Sequence, residues 1–159
     1  MTRPRSHPGL SAGFSLVELI MVIVLVSVLS VYAVVSTPTS AEATLSDQAD
    51  LLARNLRHTQ TLAMTWGRPL RFTPAGATYS VSCVTAGTAP CNVTPVIDPA
   101  TNQSFSVSLS FGATVAGPTI DFGTKGQPSA GGTFTLSATG ATNRTVTLSA
   151  LTGLTSVSP

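Results

Sequence analysis

Charge is scarce in this chain. Asp, Glu, Lys and Arg together supply 9% of its 159 residues, and Lys and Arg outnumber Asp and Glu by only 8 to 6. Two of the bases, Arg3 and Arg5, stand in a short polar stretch ahead of the first apolar run. Beyond them six bases (Arg54, Arg57, Arg68, Arg71, Lys125, Arg144) balance six acids (Glu18, Glu42, Asp47, Asp50, Asp98, Asp121). Binding to nucleic acid by bulk electrostatics needs a basic surplus on one face, so nucleic acid is not an expected partner. Histidine is scarcer still: His7 precedes the apolar run and His58 is left alone. No Ser-His-Asp set, phosphate loop or close carboxylate pair can be assembled, so no enzyme and no cofactor are expected, and no catalytic residue is assigned. Cys83 and Cys91 are the only cysteines. With a single His beside them they are too few and too widely spaced for zinc, and no metal ligand is assigned.

What the chain does have is one long apolar run. Phe14 to Val35 carries a single formal charge, Glu18, and no Pro or Gly. At about 1.5 Å per residue such a helix is roughly 33 Å long, enough to cross a hydrocarbon core of about 30 Å. An isolated carboxylate inside a membrane costs about 2.5 kcal/mol or more, so Glu18 calls for a partner. A free amine one turn away would serve, and a cut between Gly13 and Phe14 would create one. An ordinary secretory signal explains the run less well, because its apolar region is usually about 7–15 residues and ends at the cleavage site. Here the run is longer and the break precedes it.

The segment Gly13-Phe14-Ser15-Leu16-Val17-Glu18-Leu19-Ile20 closely resembles the N-terminal signature of type IV pilins and pseudopilins. The resemblance implies that a prepilin peptidase removes residues 1–13 and that the new N-terminal Phe14 is methylated. It also implies that Glu18 neutralises the terminal amine of a neighbouring subunit during assembly of a helical filament. Residues 14–35 are then the transmembrane and assembly helix of a single-pass protein of the bacterial inner membrane. Arg3 and Arg5 mark the cytoplasmic side, which puts the remainder in the periplasm. Disulfides persist there, so Cys83 and Cys91 are expected to pair. The closed loop of about nine residues is worth about 2–3 kcal/mol.

The rest of the chain reads as a break, a helix and a series of short strands. Pro38 marks a kink, and residues 36–66 continue as an amphipathic helix from about Ala41 to Trp66. Leu45, Ala49, Leu52, Leu56, Thr59, Ala63 and Trp66 recur at three- and four-residue intervals and define its apolar face. Gly67 is placed to end it. From there the period changes to two, and 67–159 is expected to be the periplasmic β-rich domain. Strands are expected around Leu70–Thr73, Tyr79–Cys83, Phe105–Phe111 and Ile120–Phe122. A hairpin of Thr133–Ser137 with Thr145–Ser149 and a last strand over Leu154–Val157 complete the set, with Thr85–Gln103 as a Pro-rich loop. The fold class is α+β: a long N-terminal helix packed on an antiparallel sheet, as in pilins.

Three further stretches are similar to the GspH/FimT branch of minor pseudopilins. They are the helix end Leu52 to Met64, the strand and turn Ile120-Asp121-Phe122-Gly123-Thr124-Lys125-Gly126-Gln127-Pro128, and the closing segment Val146 to Gly153. Minor pilins of MSHA pilus systems are similar as well. The resemblance implies a minor structural subunit of a type II secretion pseudopilus or a type IV pilus, with sister pilins, prepilin peptidase and the inner membrane as partners. Extraction into the filament goes with that reading. The alternatives are a major pilin or a tip-located binding module for DNA or a surface. DNA-uptake members of the branch carry an Arg-bearing motif after the C-terminal Gly, whereas Gly153 is followed by Leu154-Thr155-Ser156-Val157-Ser158-Pro159. Arg54, Arg57, Arg68 and Arg71 are the only basic cluster left for such binding.

Overall fold

The computed structural model describes residues 15–36 and 40–159, and of residues 31–36 the backbone alone. The expected leader 1–13, Phe14 and the break at Pro38 lie outside the described residues. The chain divides into two compact units, Met1–Pro38 and Thr39–Pro159.

In the first unit helix α1 spans Leu16–Ser36. Its large apolar side chains from Leu16 to Leu29 are all exposed, and so is Glu18 in the first turn. The hydroxyls of Ser27 and Ser30 do not interrupt that surface. Ser27 and Ser30 each donate to the carbonyl one turn back, Ile23 and Val26, at 2.7 Å. Among the described residues no helix is long and apolar enough to cross a membrane. The span expected over 14–35 includes Phe14 and the side chains of 31–35, which lie outside the description.

The second unit opens with α2, Ser40–Trp66. Its buried face holds Leu45, Ala49, Leu52, Leu56, Thr59 and Ala63, as the spacing requires, with Ala53 and Leu62 widening it and Trp66 half-buried. Gly67 ends the helix at φ +60°. Its N–H donates to Met64 O at 3.3 Å and the Arg68 N–H to Ala63 O at 3.2 Å, which satisfies two carbonyls of the last turn in a Schellman arrangement.

Ten strands follow: β1 Leu70–Ala75, β2 Thr78–Cys83, β3 Ile97–Asp98, β4 Gln103–Ser104, β5 Ser106–Ser108, β6 Thr114–Ala116, β7 Ile120–Phe122, β8 Gly132–Ser137, β9 Arg144–Leu148 and β10 Thr155–Ser158. They form two four-stranded antiparallel sheets, ordered β5-β2-β1-β7 and β10-β9-β8-β6, and a small β3–β4 ladder. Helix α2 packs on strands of both large sheets. Phe72 on β1 lies 5.3 Å from the Tyr79 ring on β2 and meets Phe134 on β8 edge-on at 5.5 Å, so the sheets and helix share one core.

Three expectations need correction. The expected sheet is two sheets, because the turn after β5 sends the chain into β6, which pairs with β8 instead of extending the first sheet. The loop over Thr85–Gln103 contains β3 and the start of β4. The strand expected over Phe105–Phe111 pairs only at Ser106–Ser108. Burial alternates as far as Leu109, but Phe111 and Gly112 adopt left-handed backbone at φ +55° and +66°, which reverses the chain and leaves Phe111 82% exposed.

Candidate functional site

Gly13 and Phe14, the expected processing positions, lie outside the described residues. Glu18 stands exposed near the start of α1, among the exposed apolar side chains from Leu16 to Leu29.

The four arginines of the candidate binding patch are divided among α2 (Arg54 and Arg57), the link after it (Arg68) and β1 (Arg71). Arg57 reaches from α2 to the edge strand β10, where its Nη2 donates to the Thr155 carbonyl at 2.8 Å. Arg71 on β1 stands directly opposite Asp121 on β7 and donates through Nε and Nη2 at 2.7 and 2.8 Å, a two-bond fork. Those hydrogen bonds, opposed by partial burial and aided by the guanidinium charge, hold the Asp121 carboxyl below its ordinary range. Arg68, after the helix end, donates to Thr88 Oγ1 at 3.5 Å. Arg54 lies on the outer face of α2, close enough to Tyr79 for its charge to act on the phenol. Burial pushes that phenol up to about 12, against the hydrogen bond that Asn55 donates at 2.7 Å and the Arg54 field.

Cys83 and Cys91 are joined in a disulfide, with Cα atoms 5.6 Å apart. The loop that begins at this staple is tied to α2 through a residue that composition gave no reason to single out. Asp98 is buried, and its carboxylate meets His58 Nε2 at 2.9 Å, the Ala100 N–H at 3.0 Å and the Thr101 hydroxyl at 3.2 Å. Desolvation, the largest single influence, pushes the Asp98 carboxyl up. The bonds from His58, Ala100 and Thr101, with the field of His58, together outweigh it and hold the group below its ordinary value. Beside this tie runs a cleft of about 340 Å³ between α2 and β5, with Leu51, Asn55, Asp98 and Phe105 among its walls. His58 and Asp98 make a structural clasp. Among the described residues no group of three His, Cys, Asp or Glu could hold a metal ion.

Two turns close on one helix position that the sequence reading passed over. Gln60 Nε2 donates to the Thr152 carbonyl at 3.3 Å. A Cβ on Gly153 (φ +69°) would lie 2.5 Å from that same Nε2, and a Cβ on Gly126 (φ +79°) would lie 2.7 Å from Met64 Sδ. The glycines of the two C-terminal stretches quoted above therefore let two loops seat on the Gln60–Met64 edge of α2. The glycines were visible in sequence, but their shared helix partner was not.

The family described as type II transport protein GspH matches residues 48–152, from within α2 to the turn before β10. The chain belongs to the GspH family. With the family comes the coarse role of a pseudopilin-type subunit. Among solved structures the fold is similar to the type IV minor pilin FimU of Pseudomonas aeruginosa strain PAO1, seen in two crystal forms. One superposes at TM-score 0.53 with 16% identity, covering 72% of this chain and 92% of FimU. The other gives 0.55 with 15% identity, covering 77% and 93%. At those identities the likeness speaks for the fold. No curated protein matches the chain.

Proposed function

We propose that this GspH-family chain is a minor filament subunit, held in the inner membrane by residues 14–35 and assembled through that helix after removal of residues 1–13. One observation carries the reading. A helix whose apolar side chains from Leu16 to Leu29 are exposed precedes a unit that completes its own core from α2 and two sheets. Such a helix needs cover from lipid or from sister helices. Glu18 is the assembly residue: among apolar helices its carboxylate meets the α-amine of a neighbouring Phe14. The family description points to type II secretion and the FimU likeness to a type IV pilus, and both systems suit this role.

The test is to read the protein's N-terminal peptide by mass spectrometry in inner membranes and in filaments sheared from the same cells. A peptide that starts at methylated Phe14, scarce in filaments and enriched in membranes, is the expected result. The same terminus as a dominant filament peptide makes the chain a major pilin. An uncut Met1 terminus, in cells with active prepilin peptidase, overturns the proposal. Replacing Glu18 with Val should leave processing intact and lower incorporation into filaments.

A further inference from the structure

Of the four edges of the two large sheets, three are closed or guarded by the chain's own groups. On β7, the Ser129 N–H donates to the Asp121 carbonyl at 2.7 Å, and the Ser129 hydroxyl oxygen accepts from the Asp121 N–H at 3.2 Å. On β6, the Val115 N–H donates to the Gly76 carbonyl at 2.8 Å. On β10, Arg57 holds the Thr155 carbonyl and sets a charge beside the edge, a common guard against pairing. The β5 edge has no such device. The Leu109 N–H donates to the Ala77 carbonyl at 2.8 Å, and the Phe105 carbonyl accepts from the Val81 N–H at 2.9 Å. The bonded positions facing β2 are therefore Phe105, Val107 and Leu109. The N–H and C=O of Ser106 and Ser108 point away from β2, and among the described residues they meet no partner. From Pro99 to Ile120 no residue is charged. Ser106 and Val107 of this edge also line the cleft of about 340 Å³, together with Leu51, Phe105, Gln103 and Asp98.

We propose that β5 binds an extended peptide strand of a partner protein, added antiparallel to Ser106–Ser108, with a Lys or Arg side chain lying in the cleft. The open backbone groups specify the strand: two N–H and two C=O groups at alternate positions are complemented by the backbone of another strand. The register specifies where its side chains go. Residues opposite Ser106 and Ser108 share the outward face of those serines, and the residue between them, opposite Val107, points to the cleft with Val107. Apolar walls beside one acidic residue suit a basic side chain, whose stem is apolar and whose head is charged. Asp98 can take that head, because its Oδ2 accepts only from the Thr101 hydroxyl, at 3.2 Å. A second copy of this chain fits poorly, because its own β5 edge brings no base to Asp98. The site stands whether or not the chain enters a filament.

The test is NMR of the full chain in detergent, titrated with the peptide acetyl-Val-Thr-Lys-Thr-Val-amide. Its Lys and Val side chains share one face, and its Thr residues are the ones that would bond Ser106 and Ser108. The expected result is saturable shifts and slowed amide exchange centred on Ser106 and Ser108. A peptide with Glu in place of the Lys should bind about tenfold or more weakly. N-methylation of both Thr residues should abolish binding, since the peptide then lacks the donors. Ser106→Pro removes one outward N–H, leaves the bonds to β2 in place, and should abolish binding with melting unchanged. Should that variant unfold, the N-methylated peptide still decides, because the protein is untouched. No shift at millimolar peptide, shifts centred elsewhere, or undiminished binding of the N-methylated or Glu peptide overturns the inference. So does an edge already protected by a second copy before peptide is added.

Discussion

The two loops seated on Gln60 give the sharpest test of how this unit is held together. Gly153→Ala should cost more than a left-handed glycine replaced in open space. The backbone share is about 1–2 kcal/mol, since any Cβ is strained at φ +69°. The second share comes from Gln60, whose Nε2, Cδ and Oε1 lie 2.5, 2.9 and 2.9 Å from where the new methyl would stand. Gln60 must swing away and lose its bond to Thr152, a further ~1 kcal/mol. The total is about 2–3 kcal/mol, against about 1–2 kcal/mol for Gly140→Ala, which has φ +81° and nothing within 4 Å of its Cβ site. A double-mutant cycle separates the shares. In a Gln60→Ala background the Gly153→Ala cost should fall to the Gly140 value, a coupling of about 1 kcal/mol, as measured by urea unfolding of the detergent-solubilised chain. Equal costs in both backgrounds would refute the contact, and equal costs for Gly153 and Gly140 would refute the reasoning.

Four other outcomes follow from contacts already described. Asp121 has its carboxyl lowered by Arg71, so the stabilisation is present above the ordinary carboxylate value near ~4 and fades as pH falls through the lower folded value. Asp121→Asn should flatten the acid limb of a stability–pH curve and leave its slope above about pH 5 unchanged, and an unaltered acid limb would remove this role. Cys83→Ser should lower stability by about 2–3 kcal/mol, matched by adding reductant to the unmodified protein; a variant that loses nothing would show the staple to be idle. Arg57→Met removes the donor at the open edge of β10 and should cost about 1 kcal/mol, with faster amide exchange concentrated in Thr155–Ser158; uniform exchange changes would contradict an edge-specific role. Retention in isolated filaments should survive washing from 0.1 to 1 M NaCl, because screening shortens from about 10 to about 3 Å while apolar contact is not weakened. Release by salt alone would speak for charged contacts.

Elements built on local periodicity were legible in the chain. The apolar stripe of α2 was readable because three- and four-residue spacing puts Leu45, Ala49, Leu52, Leu56, Thr59 and Ala63 on one face, and all of them are buried. The β8–β9 hairpin was readable from two alternating runs around Thr139–Asn143. Features that depend on distant pairing were not. Nothing near Arg71 announces Asp121, fifty residues away, as its partner; only the antiparallel register of β1 on β7 places them opposite each other. Phe111 satisfied the alternation of Phe105, Val107 and Leu109 in sequence and broke it in space, because Gly112 turned the backbone and period-two reasoning carries no information on the sign of φ.

The same distinction changes the meaning of the arginines. Read along the chain, Arg54, Arg57, Arg68 and Arg71 form the only basic cluster after the apolar run, and a cluster invites a polyanion. In three dimensions Arg57 serves a strand edge, Arg71 a cross-strand pair and Arg68 the loop at Thr88. A guanidinium already bonded to a backbone carbonyl or carboxylate must lose that bond before it can bind a phosphate at full strength, which lowers any affinity it could lend to nucleic acid. What the unit offers outward is instead mostly neutral, with apolar points at Phe111, Leu151 and Leu154. Low charge of this kind suits the filament subunit proposed above, whose large apolar α1 side chains from Leu16 to Leu29 are exposed.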